Sequence, residues 1–219
     1  MNVLNELFAN QDTAYAKFQA RLIPSLDMSK IIGVRIPVLR KISKKLTTKE
    51  AEKFLNSLPH FYLEENLLHA FLIENITDFN VAVKYTEIFL PYIDNWAVCD
   101  YFSPKIFQKN KSKLLPYISN FLQNDYLYCK RYALVLLMKY FTNQNCPLID
   151  EIAKINSNEY YLNTAVAWYF TTAVTKGNSV AIEYVFSDKI NKNIQKLIKS
   201  KVLQSKAVSA KIKERIKKI

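Results

Sequence analysis

From Phe61 onward the apolar residues recur at helical spacing, and the pattern repeats at an offset of 34 residues. Aligned on that offset, four helices begin at Tyr62, Trp96, Lys130 and Thr164. Their sixth positions are Leu67, Tyr101, Val135 and Tyr169, and their seventh are Leu68, Phe102, Leu136 and Phe170. Their eleventh positions are Leu72, Ile106, Tyr140 and Val174. At about 100° per residue these columns form one apolar stripe. Shorter helices fall between the four, near Val81–Tyr92, Lys111–Leu122, Leu148–Ile155 and Ser179–Phe186. Paired helices at a period in the thirties predict an all-α chain of HEAT-like repeats, an α-solenoid with a concave surface. Independent helical hairpins in a plain bundle are the alternative.

The chain before the repeats reads as helices too. Asp12–Leu26 carries Tyr15, Phe18 and Leu22 on one face, with Asn10 or Asp12 as cap and Pro24 near its end. In Ile31–Arg40, Gly33 is suited to a positive φ and Pro37 to the first turn of a helix. That helix carries Arg40, Lys41, Lys44 and Lys45, and Thr48–Leu55 follows with Thr47 and Glu50 as a capping box. The expected organisation is one domain over 1–219, with N-terminal helices to 60, repeats over 61–188 and basic capping helices over 189–219.

Composition agrees with an all-helical chain. Gly33 and Gly177 are the only glycines among 219 residues, too few for the turns of a sheet protein of this size. Cys99, Cys129 and Cys146 show no paired or ligand spacing, which fits a reducing cytoplasm and no disulfide framework. The first residues carry Glu6 and Asp12 and have no apolar run of signal-peptide length. The longest uncharged stretch, Tyr160–Thr175, holds Asn163 and four threonines in 16 residues, too short and polar for a membrane span.

Charge is uneven. Lys189–Ile219 carries a net +10, whereas the preceding 188 residues carry only +2. A basic end on a near-neutral body points to a polyanion partner, or to a solvated helix kept for solubility.

Chemistry concentrates in Asp94–Asp100. Trp96 and Asp100 are four apart, one above the other on a helix face. An indole face and a carboxylate both attract cations, so the pair suits a positive charge, bound or developing. The plainer alternative is a core tryptophan and an aspartate that caps a helix. In the repeat register Trp96, Asp100, Arg131 and Trp168 occupy first, second and fifth positions, away from the apolar stripe. Large apolar groups are seldom left wet without a reason. No Walker-type loop, H-x-x-x-H or Ser/His/Asp set occurs, and His60 and His69 read as structural.

The stretches Ile31–Arg40 (IIGVRIPVLR), Asp94–Asp100 (DNWAVCD), Lys130–Ala133 (KRYA) and Ala165–Trp168 (AVAW) resemble the HEAT-like repeat DNA glycosylases of the AlkD type. The resemblance spans most of the chain. It implies release of N3- or N7-alkylated purines from duplex DNA on the concave surface, without base flipping and with no metal or other cofactor. Asp100, Trp96 and Trp168 would be catalytic. Arg131 would hold the DNA backbone, with Arg35, Arg40, Lys41, Lys211 and Lys213 as further DNA contacts. The expected partner is alkylated or damaged double-stranded DNA, met by a monomer away from membranes. A catalytically silent binder of unusual DNA structures and a protein-binding HEAT scaffold are the other two classes. The Trp/Asp/Trp set favours the enzyme, and the basic end favours DNA over protein.

Overall fold

The computed structural model describes residues 2–143 and 146–218, so the terminal positions 1 and 219 of the expected domain lie outside the described residues. It is all-α, and no strand occurs among the described residues. The chain forms two compact units, Met1–Ser112 and Lys113–Ile219.

The first unit contains α1 (Val3–Ala9), α2 (Thr13–Leu22), α3 (Ile36–Lys45), α4 (Thr48–Leu55), α5 (Leu63–Glu74), α6 (Phe79–Phe89), α7 (Trp96–Tyr101) and α8 (Lys105–Lys109). α3 and α7 both pack on α5, and the α4 and α6 helices lie against it as well. Every residue of α5 is buried. A helix buried all round must find partners for its charged groups in neighbouring segments, although Asn66 Oδ1 and His69 Nε2 here have none among the described residues. Glu65 accepts the amides of Phe61 and Tyr62 at the helix start. Glu74 takes the Arg40 guanidinium and, 2.8 Å away, the Ser103 amide. His69 stacks on Phe89 and meets His60 at 2.9 Å.

Glu64 does the most for the chain trace. Only 1% exposed, its carboxylate accepts the amides of Ile32 (2.9 Å), Gly33 (2.7 Å) and Val34 (3.2 Å). Burial raises its pKa, and these amides pull the other way. Gly33 sits there at φ 95°, and a Cβ on it would come within 2.2 Å of the Asp12 carbonyl oxygen. The loop therefore packs directly on the start of α2.

The expected caps are present. Asp12 accepts the Tyr15 amide, Thr47 and Glu50 form the full capping box, and Pro37 lies in the first turn of α3. Two expected helices end early. α2 stops at Leu22, four residues short of Leu26, because Pro24 follows and cannot donate to the ladder. The helix from Trp96 breaks after Tyr101 and resumes as α8, with Pro104 at the break and the Ser103 amide given to Glu74 instead. That break leaves Tyr101 exposed in the column where Leu67, Val135 and Tyr169 are buried.

The second unit contains α9 (Lys111–Gln123), whose first turn holds the division, then α10 (Leu127–Tyr140), α11 (Ile149–Lys154), α12 (Tyr160–Thr175), α13 (Ser179–Val185), α14 (Lys192–Gln204) and α15 (Ala210–Lys217). α12 is central here, with α10, α13 and α14 packed on it and α15 on α14. Alternate long helices stacked on one another, with shorter ones beside them, are the layering of a helical repeat. The seventh-position column, Leu68, Phe102, Leu136 and Phe170, is buried throughout.

The two histidines make stability depend on pH. Burial pushes His60 down to about 4 and His69 to about 3 from an ordinary 6.5. The unfolded chain takes up both protons near 6.5, and the folded chain takes them only well below. Stability is therefore full above that value and falls as pH drops toward 4. Denaturant titrations at pH 7.5 and 5.5 are expected to differ by about 2–3 kcal/mol. Equal stabilities would mean that the pair is solvated.

Candidate functional site

In the first unit the Asp94–Asp100 stretch builds a short, well-defined helix. Asn95, buried, accepts the Val98 amide at 3.1 Å and donates its own amide to Asp94 at 2.8 Å. Asn95, rather than an aspartate, is thus the cap of α7. Ala97, Val98 and Cys99 point into the core, while Trp96 and Asp100 remain half-buried one turn apart. The indole N–H donates to the Leu22 carbonyl at the end of α2, 3.2 Å away. That bond sets the ring orientation and leaves neither indole face committed to it. Asp100 stands in the last turn of α7, close to carbonyl groups left without helical partners. A carboxylate is electrostatically misplaced there, since helix C-termini favour cations.

In the second unit Trp168 is 38% exposed on a helix whose neighbouring residues, Ala165–Ala167, Tyr169 and Phe170, are buried. The expectation of an indole turned from the apolar stripe agrees with this placement. Arg131 is different. It is only 4% exposed, and its Nη1 donates to the Tyr161 carbonyl at 2.6 Å, joining α10 to the first turn of α12.

The remaining cations divide in two. Arg35 pairs with Asp12 at 2.8 Å and lies over the Tyr15 ring, so it braces α2. Arg40 pairs with Glu74 and lies over Phe71. Lys41 and Lys211 are exposed, and Lys213 is partly so. On α15, Ile216 is buried while Lys217 and Lys218 face solvent. No group of three or more His, Cys, Asp or Glu side chains that could hold a metal occurs among the described residues. Among them, too, no helix is long and apolar enough to cross a membrane.

Glu64, Glu74 and the Leu22 carbonyl were not candidates by sequence. The first shapes the loop that packs on the start of α2, the second the break after the Trp96 helix, and the third orients its indole. Acids within the apolar run Leu63–Glu74 are the one signal that could have pointed to the two glutamates.

Stacked helices, long ones flanked by shorter ones, define a helical-repeat protein, in which α7 carries Trp96 and Asp100 half-buried. The chain belongs to the DNA alkylation repair enzyme family, whose model matches residues 3–203. It is thereby placed among enzymes that repair alkylated DNA, with DNA as substrate. No curated protein matches the chain. The matched stretch takes in both tryptophans, Asp100 and Arg131 and ends before α15.

These placements predict different costs for three truncations. Trp168→Ala is expected to lose less than about 2 kcal/mol of stability, because fully buried aromatics lose about 3–5. Arg131→Ala is expected to lose about 2–4 kcal/mol, since a buried donor to a backbone carbonyl disappears. Trp96→Phe removes the bond to Leu22 and keeps a ring, and about 1 kcal/mol is expected. Urea titrations of the three variants check the order, and a Trp168→Ala loss above that for Arg131→Ala would reverse the two assignments.

Proposed function

We propose that the chain is a DNA glycosylase that hydrolyses the bond between deoxyribose and an N3- or N7-alkylated purine in duplex DNA, without turning the base out of the helix. The observation that carries this is the Trp96–Asp100 pair, half-buried one turn apart on a helix held by a buried asparagine cap and an indole hydrogen bond.

Alkylation at a ring nitrogen makes the purine cationic and a good leaving group. As the C1′–N bond breaks, its electrons pass to the purine, which leaves neutral, and positive charge develops on the sugar. Asp100 stabilises that charge and orients the water whose oxygen bonds to C1′, and the water's proton passes to solvent. One preorganised electrostatic group of this kind is worth about 3–4 kcal/mol. The Trp96 face adds about 0.5–2 kcal/mol toward a cationic lesion. Trp168 is assigned to the same substrate by its exposure and by the resemblance of its stretch. Arg131 is the arginine assigned to the DNA backbone, and its burial adds a structural cost when it is replaced. Arg35, Arg40, Lys41, Lys211 and Lys213 complete the proposed phosphate contacts, Arg35 and Arg40 also bracing the fold through their carboxylate partners.

Asp100→Asn is expected to lower release of methylpurine at least tenfold while DNA affinity stays nearly constant. Single-turnover excision beside binding titrations measures both, and an unchanged excision rate would remove Asp100 from the chemistry. For the basic end, Lys211, Lys213, Lys217 and Lys218 replaced together by Gln should flatten the salt dependence of binding. About 2–4 units of slope should be lost, since each neutralised phosphate contributes about 0.9. Affinity should fall alike on all sequences. Parallel slopes for variant and wild type would make the end a soluble cap only.

A further inference from the structure

The outer face of α2 has no part in the site as described above. It was expected to carry Tyr15, Phe18 and Leu22 as one face, and that face is largely open: Phe18 is 50% and Leu22 44% exposed. The helix is buried instead through Ala16. Beside this apolar stripe Lys17 and Arg21 are exposed, also one turn apart. Neither ends on a carboxylate among the described residues, and Arg21 bends back to the Lys17 carbonyl. Adjacent positions on a helix differ by about 100°, so a cationic stripe runs alongside an apolar one.

This face is preorganised. Asp12 caps the helix and pairs with Arg35, Gly33 packs against its first turn, and Tyr15 stacks on Phe18 with ring centroids 6.2 Å apart. At its other end the Leu22 carbonyl receives the Trp96 indole N–H. The stripe therefore runs up to the indole of the Trp96–Asp100 pair. Lys17 and Arg21 stand about 6 Å apart along the helix axis, comparable to successive phosphates on one strand. Two apolar side chains are a small area for holding a lipid surface. Alternating charge and apolar faces do match a sugar–phosphate chain with its bases.

We propose that α2 is a second nucleic-acid contact, in which Lys17 and Arg21 take two phosphates of one strand while Phe18 and Leu22 lie against the sugar or base between them, next to Trp96. The proposal rests on the glycosylase reading for its partner, and it names a contact that reading does not use.

The test uses the full chain with an unmodified duplex and with the same duplex carrying N7-methylguanine. Three variants are compared with wild type: Lys17→Gln with Arg21→Gln, Phe18→Ser and Phe18→Tyr. All replaced side chains are exposed, and a thermal melt checks each fold. The double charge variant should flatten the salt slope by about 1–2 units. Phe18→Ser should weaken binding at least fivefold with the slope unchanged, as expected for a lost stacking contact. Phe18→Tyr should restore affinity, which a merely structural role for the ring in the melt would not separate from Phe18→Ser. Wild-type affinity and slope in all three variants, with excision intact, would overturn the α2 contact and leave the glycosylase reading standing. Wild-type chain that binds neither duplex would overturn both. Loss of binding to anionic phospholipid vesicles in Phe18→Ser, with DNA binding unchanged, would assign the face to a lipid surface and also overturn the proposal.

Discussion

The first unit depends on how α5 satisfies its own buried carboxylates. A helix with no open face has no water to turn to, so each acid it carries must find donors in neighbouring segments. Glu64 finds three amides in Ile32–Val34 and so fixes that loop. The loop fits against the Asp12 carbonyl only because residue 33 lacks a side chain, and this sets where α2 begins. α2 in turn presents the Leu22 carbonyl to the Trp96 indole. At the other end of α5, Glu74 takes the Ser103 amide where the Trp96 helix breaks. The candidate site is thus positioned from both ends of one buried helix.

The second unit solves a different problem. α12 carries no charge along its length, and it exposes Tyr160 at its start and Trp168 in its middle while most of its other residues are buried. Arg131 joins α10 to α12 by its bond to Tyr161. Basic charge is kept to the outside of α14 and α15, whose buried positions Ile194, Ile198, Val202 and Ile216 stay apolar. Two cations of this end also meet the body, Lys189 beside Asp150 and the Tyr184 ring and Arg215 over Phe186.

Much of this was legible in the sequence because it rests on short-range periodicity. The helical class, the caps at Asp12 and Thr47, the positive φ of Gly33 and the open placement of Trp168 all follow from spacing or from local backbone rules. What was not legible depends on partners distant in the chain. The apolar pattern of α5 reads as a one-sided stripe, whereas the helix is buried on all sides, and the roles of Glu64 and Glu74 appear only when segments some thirty residues away pack on it. Phe18 and Leu22 follow the same logic in reverse. Their spacing marks a face, but only packing decides that Ala16, and not this face, meets the core. The break at Pro104 lay within reach, since a proline so soon after Trp96 cannot continue the ladder.

We propose that the half-buried indole–carboxylate pair selects a substrate by its positive charge. Single-turnover release of N7-methylguanine and of hypoxanthine, each from the same duplex context, tests it most directly. The first base is cationic while bonded to the sugar, and the second is neutral. Release of N7-methylguanine at least a hundredfold faster, beyond the difference in spontaneous loss of the two bases, is the predicted result. Equal enhancement of both, or release of hypoxanthine alone, would contradict it.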